Sequence, residues 1–155
     1  MASENNMRGE TSELKVALGR RYHFAASHRL HNAHLSAAQN QEIYGKCNNP
    51  HGHGHNYTME VLVSGPVDAA TGMVASLADL DAFVETNVLN DYDHKSFNDD
   101  VPVFRELVPT TENLCIDIFQ RLKSFPQATL ERIRVAETGN NSFEYAGEYT
   151  EDTLP

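Results

Sequence analysis

Cysteine is scarce in this chain. Cys47 and Cys115 are the only two among 155 residues, too few for a disulfide framework and suited to a reducing cytosol. Long apolar runs are missing as well. None approaches the ~18 residues that cross a bilayer, and the polar stretch Met1–Ser12 offers no apolar segment for a secretory signal. The chain is therefore expected to be cytoplasmic, with no membrane association. Cations are few: 12 Lys+Arg face 22 Asp+Glu, for a net charge of −10. That balance argues against general binding to nucleic acid or anionic lipid, and leaves room for a phosphorylated small substrate only through locally placed cations. The remainder is ordinary for a soluble globular protein, with 40% hydrophobic and 22% charged residues. The length is enough to bury one core without covalent staples.

Histidine is the exception. The chain has eight, and six of them (His28, His31, His34, His51, His53, His55) fall within 28 residues. Solvated histidines scatter, whereas a knot of this density points to metal or proton chemistry.

Met1–Ser12 and Thr150–Pro155 read as tails, the second acidic, around a single domain spanning 13–149. Leu14–His28 reads as a strand in which Val16, Leu18, Tyr22, Phe24, Ala26 and His28 share one parity, with Arg20 as the intruder. Arg29–His51 shows little periodicity and reads as a long functional excursion. His55–Ser64 is a second strand with Tyr57, Met59, Val61 and Val63 on one face, and His53 and His55 continue that parity backwards. Helical spacing of Leu77, Leu80, Phe83, Val84 and Val88 predicts a helix over Ala78–Asn90, followed by a mostly irregular stretch, Asp91–Pro109. Thr110 or Thr111 caps a second helix carrying Leu114, Cys115, Ile118, Phe119 and Leu122 on its apolar side, where Cys115 serves packing. Leu130–Thr138 and Ser142–Tyr149 alternate as strands around the turn Gly139-Asn140-Asn141. The order β, β, α, α, β, β indicates an α+β fold, with an antiparallel sheet covered on one face.

If the first two strands are neighbours, His28, His53 and His55 bring three neutral imidazoles to one point. Three histidines with an open fourth position is a common way to hold catalytic zinc. Cys47-Asn48-Asn49-Pro50-His51-Gly52-His53-Gly54-His55 contains two overlapping His-Gly-His registers. Parity alone does not choose between them. Continuity with Tyr57 and Met59 favours His53 and His55 and leaves His51 an outer residue. His23, His31 and His34, on the opposite strand face or in the loop, read as bystanders.

Several segments together resemble the 6-pyruvoyltetrahydropterin synthase family. They are Phe24-Ala25-Ala26-Ser27-His28-Arg29-Leu30, Gly45-Lys46-Cys47-Asn48-Asn49-Pro50, His53-Gly54-His55-Asn56-Tyr57, Asp68 through Leu80, Asp93-His94-Lys95, Thr110-Thr111-Glu112-Asn113 and Glu137-Thr138. The resemblance runs in order from Tyr22 to Glu148. It implies a tunnelling fold (T-fold): a four-stranded antiparallel sheet with two helices on one face, sheets joined into barrels, and two trimeric barrels stacked as a homohexamer with sites between subunits. It implies zinc on His28, His53 and His55, a catalytic Cys47 with a partner pair at Asp93 and His94, and Glu137 anchoring a pterin in a pocket lined by Thr110, Thr111 and Glu112.

The implied reaction takes 7,8-dihydroneopterin triphosphate to 6-pyruvoyl-tetrahydropterin with loss of triphosphate, a lyase step in tetrahydrobiopterin biosynthesis. Its redox change is internal, in keeping with the lack of a Gly-x-Gly-x-x-Gly fingerprint. Arg29 and Lys46 are candidates for the triphosphate, which can carry Mg2+. Glu137 shares parity with Ile133 and Val135, so its carboxylate needs donors, either a pterin or a basic side chain. Asp93 can reach His94 only through a bend in the chain. Two features depart from the family pattern, His51 before the Gly-His-Gly-His run and Tyr92 where a leucine is expected.

Two rival readings stand beside this one. The related 6-carboxy-tetrahydropterin synthases place the cysteine three residues before the His-Gly-His pair, against five here between Cys47 and His53. Counting from His51 restores three. A non-catalytic zinc-binding module is the rival from another class, and it gives Cys47 and the Asp93-His94 pair no role.

Overall fold

The computed structural model describes residues 14–148. The two tails read from the sequence lie outside the described residues, as does the end of the last expected strand.

Two long strands, β1 (Lys15–His28) and β2 (His53–Pro66), form the spine of the sheet. They pair antiparallel from Lys15 opposite Pro66 to His28 opposite His53. The connection between them is not irregular throughout. It contains a helix, α1 (Ala37–Tyr44), begun by a capping box in which Ser36 and Gln39 satisfy each other's backbone amides, and a 3-10 turn over Gly45–Asn48. Only Asn40 of α1 is buried, so the helix lacks the apolar stripe that periodicity detects. Its signal is the Ser-x-x-Gln cap.

A longer helical stretch follows. It comprises α2 (Leu77–Val84), a π-helical turn (Glu85–Leu89) and α3 (Asn90–Tyr92). The two-residue strand β3 (Lys95–Ser96), the single turn α4 (Phe97–Asp100) and a 3-10 turn over Pro102–Arg105 lead to α5 (Thr111–Leu122), capped by Thr110. Strands β4 (Thr129–Ala136) and β5 (Ser142–Tyr145) complete the sheet.

The strand order is β3-β1-β2-β4-β5, with β3 parallel to β1 and the other neighbours antiparallel. The sheet is thus five-stranded and mixed rather than four-stranded and antiparallel, because Lys95–Ser96 adds a strand too short for any periodicity to announce. In β4 the register shifts opposite Leu62/Val63. Glu131 is the extra residue of this bulge, which returns Leu130 to the same face as Ile133.

One face of the sheet carries the core. Tyr22, Phe24, Tyr57, Met59, Val61, Ile133 and Val135 pack against Leu80, Val84, Val88, Tyr92, Leu114 and Ile118, all buried. Arg20 breaks the apolar parity of β1 because it has a partner on α2. Its guanidinium donates twice to Asp81, at 2.9 and 2.6 Å, and the Tyr22 hydroxyl donates to the same carboxylate at 2.9 Å. Arg20 holds the Asp81 carboxyl below its ordinary range. A lowered carboxyl stabilises the fold fully above its ordinary pKa and loses that contribution as pH falls through the lowered value. The pair is partly exposed and screened by solvent, so Asp81→Asn should lower Tm by only roughly 2–4 °C at pH 7. Calorimetry should find the same gap at pH 5 and a narrowing gap below pH 3.8.

Candidate active site

The β1–β2 register decides the centre of the site. His28 ends β1 on its buried face and stands directly opposite His53, while His55 lies two residues on along the same face of β2. The loop reaches this position through Gly52, whose φ is +68°. A Cβ there would meet the His28 carbonyl oxygen at 2.9 Å, so glycine is required at that position. His51 falls outside β2 and is exposed.

One ligand nitrogen from each of His28, His53 and His55 lies within 4.8 Å of the others. The Nδ1–H of His28 donates to the Pro109 carbonyl at 2.7 Å, which leaves Nε2 with its lone pair facing inward, 3.1 Å from His53 Nε2. That separation is near the ~3.3 Å edge of a tetrahedron with metal–nitrogen bonds of about 2.0–2.1 Å. His55 Nε2 is buried without a hydrogen-bond partner among the described residues. Burial lowers the basicity of His28, and burial followed by the neighbouring His55 does the same for His53. Neutral imidazoles with converging lone pairs are the form a metal binds, so the residues fit a metal ion.

Glu137 follows the last residue of β4. One of its carboxylate oxygens lies 3.6 Å from both His28 Nε2 and His55 Nε2, and the other accepts from the Asn141 amide at 3.0 Å. Among the described residues it pairs with no arginine or lysine. Tyr57 continues the parity of His53 and His55, and its hydroxyl is buried without a hydrogen-bond partner among the described residues. Burial, then Glu137 and Cys47, push that phenol well above its ordinary pKa.

Cys47 is half-buried in the 3-10 turn. That turn is fastened to the chain just after His28: Leu30 N donates to the Cys47 carbonyl (2.9 Å), the Asn48 amide to the Leu30 carbonyl (2.8 Å), and Arg29 Nε to the Asn48 carbonyl (3.0 Å). The Asn48 amide also donates to His31 Nδ1 at 2.9 Å, and His23 lies on the far sheet face beside Thr58.

Asp93 and His94 sit at the β1–β3 edge. His94 has φ 59°, the one non-glycine residue with positive φ among those described. This bend brings its Nδ1 to 3.0 Å from Asp93 Oδ1. The same oxygen accepts from Ala25 N at 2.8 Å, and the Ala25 amide followed by His94 holds the Asp93 carboxyl below its ordinary range. His94 and His55 line one shallow recess. Within the described residues no hydrogen bond joins Cys47 to Asp93 or His94.

Thr110 and Thr111 adjoin Pro109, the partner of His28. The Thr110 hydroxyl caps α5 by accepting from Asn113 N at 3.3 Å, Thr111 is buried, and Glu112 is exposed on the first turn. A cleft of about 660 Å³ opens beside His28, lined among others by Arg29, His31, His34, His51, Asn98 and Arg105. Lys46 is exposed on the Cys47 turn and is not part of that lining. Pro109, Tyr57 and Arg105 join the site although the sequence does not single them out as site residues. Only Tyr57 carried a signal, its shared parity with the histidines.

The comparisons agree with this geometry. The model of the family described as 6-pyruvoyl tetrahydropterin synthase matches residues 17–148. The human 6-pyruvoyl tetrahydrobiopterin synthase is 47% identical over 135 residues, 86% of this chain and 93% of the human one. The solved structure of the Caenorhabditis elegans 6-pyruvoyl tetrahydropterin synthase superposes with a TM-score of 0.83 at 42% identity, over 87% of this chain and 97% of its own. A 6-carboxy-5,6,7,8-tetrahydropterin synthase of Haemophilus influenzae is more distant, 31% identical over 65% of this chain and 84% of its own. With its strand order, its histidine cluster and these likenesses taken together, the chain belongs to the 6-pyruvoyl tetrahydropterin synthase family.

Proposed function

We propose that this chain is a zinc-dependent lyase that converts 7,8-dihydroneopterin triphosphate to 6-pyruvoyl-tetrahydropterin with release of triphosphate, a step in tetrahydrobiopterin synthesis. The observation that carries the reading is the convergence of His28, His53 and His55 within 4.8 Å, in a chain of this family. Zinc suits three neutral imidazoles with an open position. When bound, it supplies a Lewis acid that polarises the substrate's side-chain oxygens and acidifies the adjacent C–H bonds.

The other roles fall to the chain's own groups. The Cys47 thiolate takes the proton from the substrate side chain. The electron pair of that C–H bond, on the carbon next to the ring, moves into the ring as it takes up a proton. Loss of a second C–H proton, from the carbon beside the phosphate-bearing one, then sends its electron pair to expel the triphosphate, whose C–O bond breaks. The dihydropterin ring gains the hydrogens that the side chain gives up, so ring reduction and oxidation to the diketone balance within one molecule. Asp93 orients His94 and offsets the charge of its imidazolium as protons are relayed. Because no hydrogen bond links this pair to Cys47 among the described residues, we assign it to a site shared between subunits of a homohexamer. The edge strands β3 and β5, of two and four residues, are open for such assembly.

Glu137 accepts from the pterin amino group and ring N–H, beside Thr110, Thr111 and Glu112. Arg29, with Arg105 on the same cleft lining and Mg2+ carried by the substrate, offsets the triphosphate charge, and Lys46 contributes from the Cys47 turn outside that lining. A 6-carboxy product has less support: β2 begins at His53, which keeps five residues between Cys47 and the strand histidines. A passive zinc module would leave the strained His94 without a purpose.

Metal analysis of the purified protein should find one zinc per chain. His28→Ala, His53→Ala or His55→Ala should each lose most of it, and His51→Ala should retain it; zinc lost on His51→Ala but kept on His55→Ala would reverse the assigned register. Mass spectrometry after incubation with dihydroneopterin triphosphate should show the pyruvoyl product. Cys47→Ala should keep zinc and pterin affinity while slowing turnover on the order of 10²–10⁴-fold, and Glu137→Ala should mainly weaken substrate binding. Turnover of Cys47→Ala near the parent rate would remove the thiol from this role. Light scattering should find a hexamer at micromolar concentration, and a stable monomer would count against the shared site.

A further inference from the structure

The helical stretch from Leu77 to Tyr92 is fastened by two clusters of similar make-up, each built on an arginine and a tyrosine that share one aspartate, with Asp91 as a further carboxylate in the second. The first joins Asp81 to Arg20 and Tyr22 and is open to solvent, with Arg20 and Asp81 side chains 40% and 39% exposed. The second lies at the other end. The Tyr92 hydroxyl donates to Asp117 on α5. Arg121, one helical turn further along α5, donates to the same carboxylate at 2.6 Å, to Asp91 at 2.7 Å and to the Asn87 carbonyl at 3.1 Å. Its guanidinium carbon lies 5.3 Å from the Tyr92 ring centroid, within cation–π range. Tyr92 is fully buried, with Phe24 and Phe97 rings at 5.8 and 5.0 Å.

This second cluster ends one residue before Asp93. There the helix stops and His94 takes its positive φ. Such a conformation is strained for a non-glycine residue and persists only where its surroundings over-determine it. On the far side of the bend Ala25 supplies the restraint, accepting from His94 N at 2.6 Å and donating to Asp93 at 2.8 Å. On the near side the restraint is Tyr92, locked by Asp117 and Arg121. The π-turn works to the same end. Arg121 bonds the Asn87 carbonyl within it, so the irregular turn and the helix end are held by one guanidinium.

We propose that Tyr92, Asp117 and Arg121 are positioning residues for the Asp93–His94 pair. They fix the bend that presents the His94 imidazole to the reaction, and they touch no substrate themselves. The proposal rests on the role assigned to His94 in the reading above. A leucine at position 92 would fill the same core but could not donate to Asp117. The half-buried Asp117 carboxylate would then lose one of its two partners, and the helix end would lose its tie to α5.

The test compares Tyr92→Phe with Tyr22→Phe, each of which removes one hydroxyl from one cluster. Steady-state rates with dihydroneopterin triphosphate are measured together with the NMR resonances of the His94 ring. Tyr92→Phe should lower kcat roughly ten- to a hundredfold, leave KM and zinc content within about twofold, and shift the His94 resonances. Tyr22→Phe should lower Tm and leave kcat and those resonances unchanged. Arg121→Lys, which keeps the charge but not the fork, should recover part of the rate lost in Arg121→Met. If Tyr92→Phe lowers Tm alone, with kcat and the His94 resonances those of the parent, the cluster is only structural and the proposal is wrong. Unchanged turnover in His94→Ala would instead overturn the assigned role of His94, and the resonance comparison would still decide whether the cluster positions the pair.

Discussion

The site depends on the register of two strands. Side chains alternate along a strand with a period of two, so a slip of one residue between β1 and β2 would turn His53 and His55 toward the face that carries Arg21 and Glu60. Hydrophobic burial forbids the slip. The same shift would expose Tyr57, Met59, Val61 and Val63, each at most 1% exposed. Burying a large apolar side chain is worth about 1.5–3 kcal/mol, while one ladder hydrogen bond contributes about 1 kcal/mol net. The histidines are therefore aligned by residues that never approach the chemistry. The stacked Phe24–Tyr57 pair, with ring centroids 5.0 Å apart, sits immediately beneath them.

That dependence explains which features could be read from the sequence. Parity placed His28, His53 and His55 on apolar faces, and neighbouring strands brought them together. Helix α5 and its threonine cap were legible for a similar reason, since one side of the helix is buried. Where an element has no apolar periodicity, the sequence is silent. Helix α1 is exposed on nearly all sides, with its one buried residue the polar Asn40, and carries only its capping box. Strand β3 has two residues and no pattern. The Glu131 bulge is invisible because a broken alternation also looks like a strand end. Tyr92 looked like a misfit in a loop, and its partner Asp117 lies 25 residues away on another helix. Pro109 contributes only a backbone carbonyl, which no side-chain pattern announces.

The two ends of the helical stretch also show how polar clusters differ in consequence. Arg20 and Asp81 meet in water, where an ion pair contributes little net free energy. Arg121 and Asp117, 22% and 17% exposed, are held where breaking one partner leaves the other poorly solvated. The stiffer cluster lies beside the bend and the looser one far from it. Strain in the backbone is thus located where the surrounding contacts resist relaxation most strongly.

Charge placement completes the physical case for an anionic substrate. Net charge works against it, so attraction has to come from a few oriented groups. Of the seven arginines among the described residues, Arg20, Arg21, Arg121 and Arg132 are bound to carboxylates, and Arg134 bonds Ser142. Arg29 and Arg105 meet only backbone carbonyls, of Asn48 and Asp99, and both line the cleft beside His28. Asp99 and Glu106 share that lining, so the cleft is no general trap for anions. With the triphosphate assigned to this cleft as proposed above, it would gain most by presenting its oxygens to both guanidiniums, as forked donors favour, while Asp99 and Glu106 would disfavour an anion held away from them.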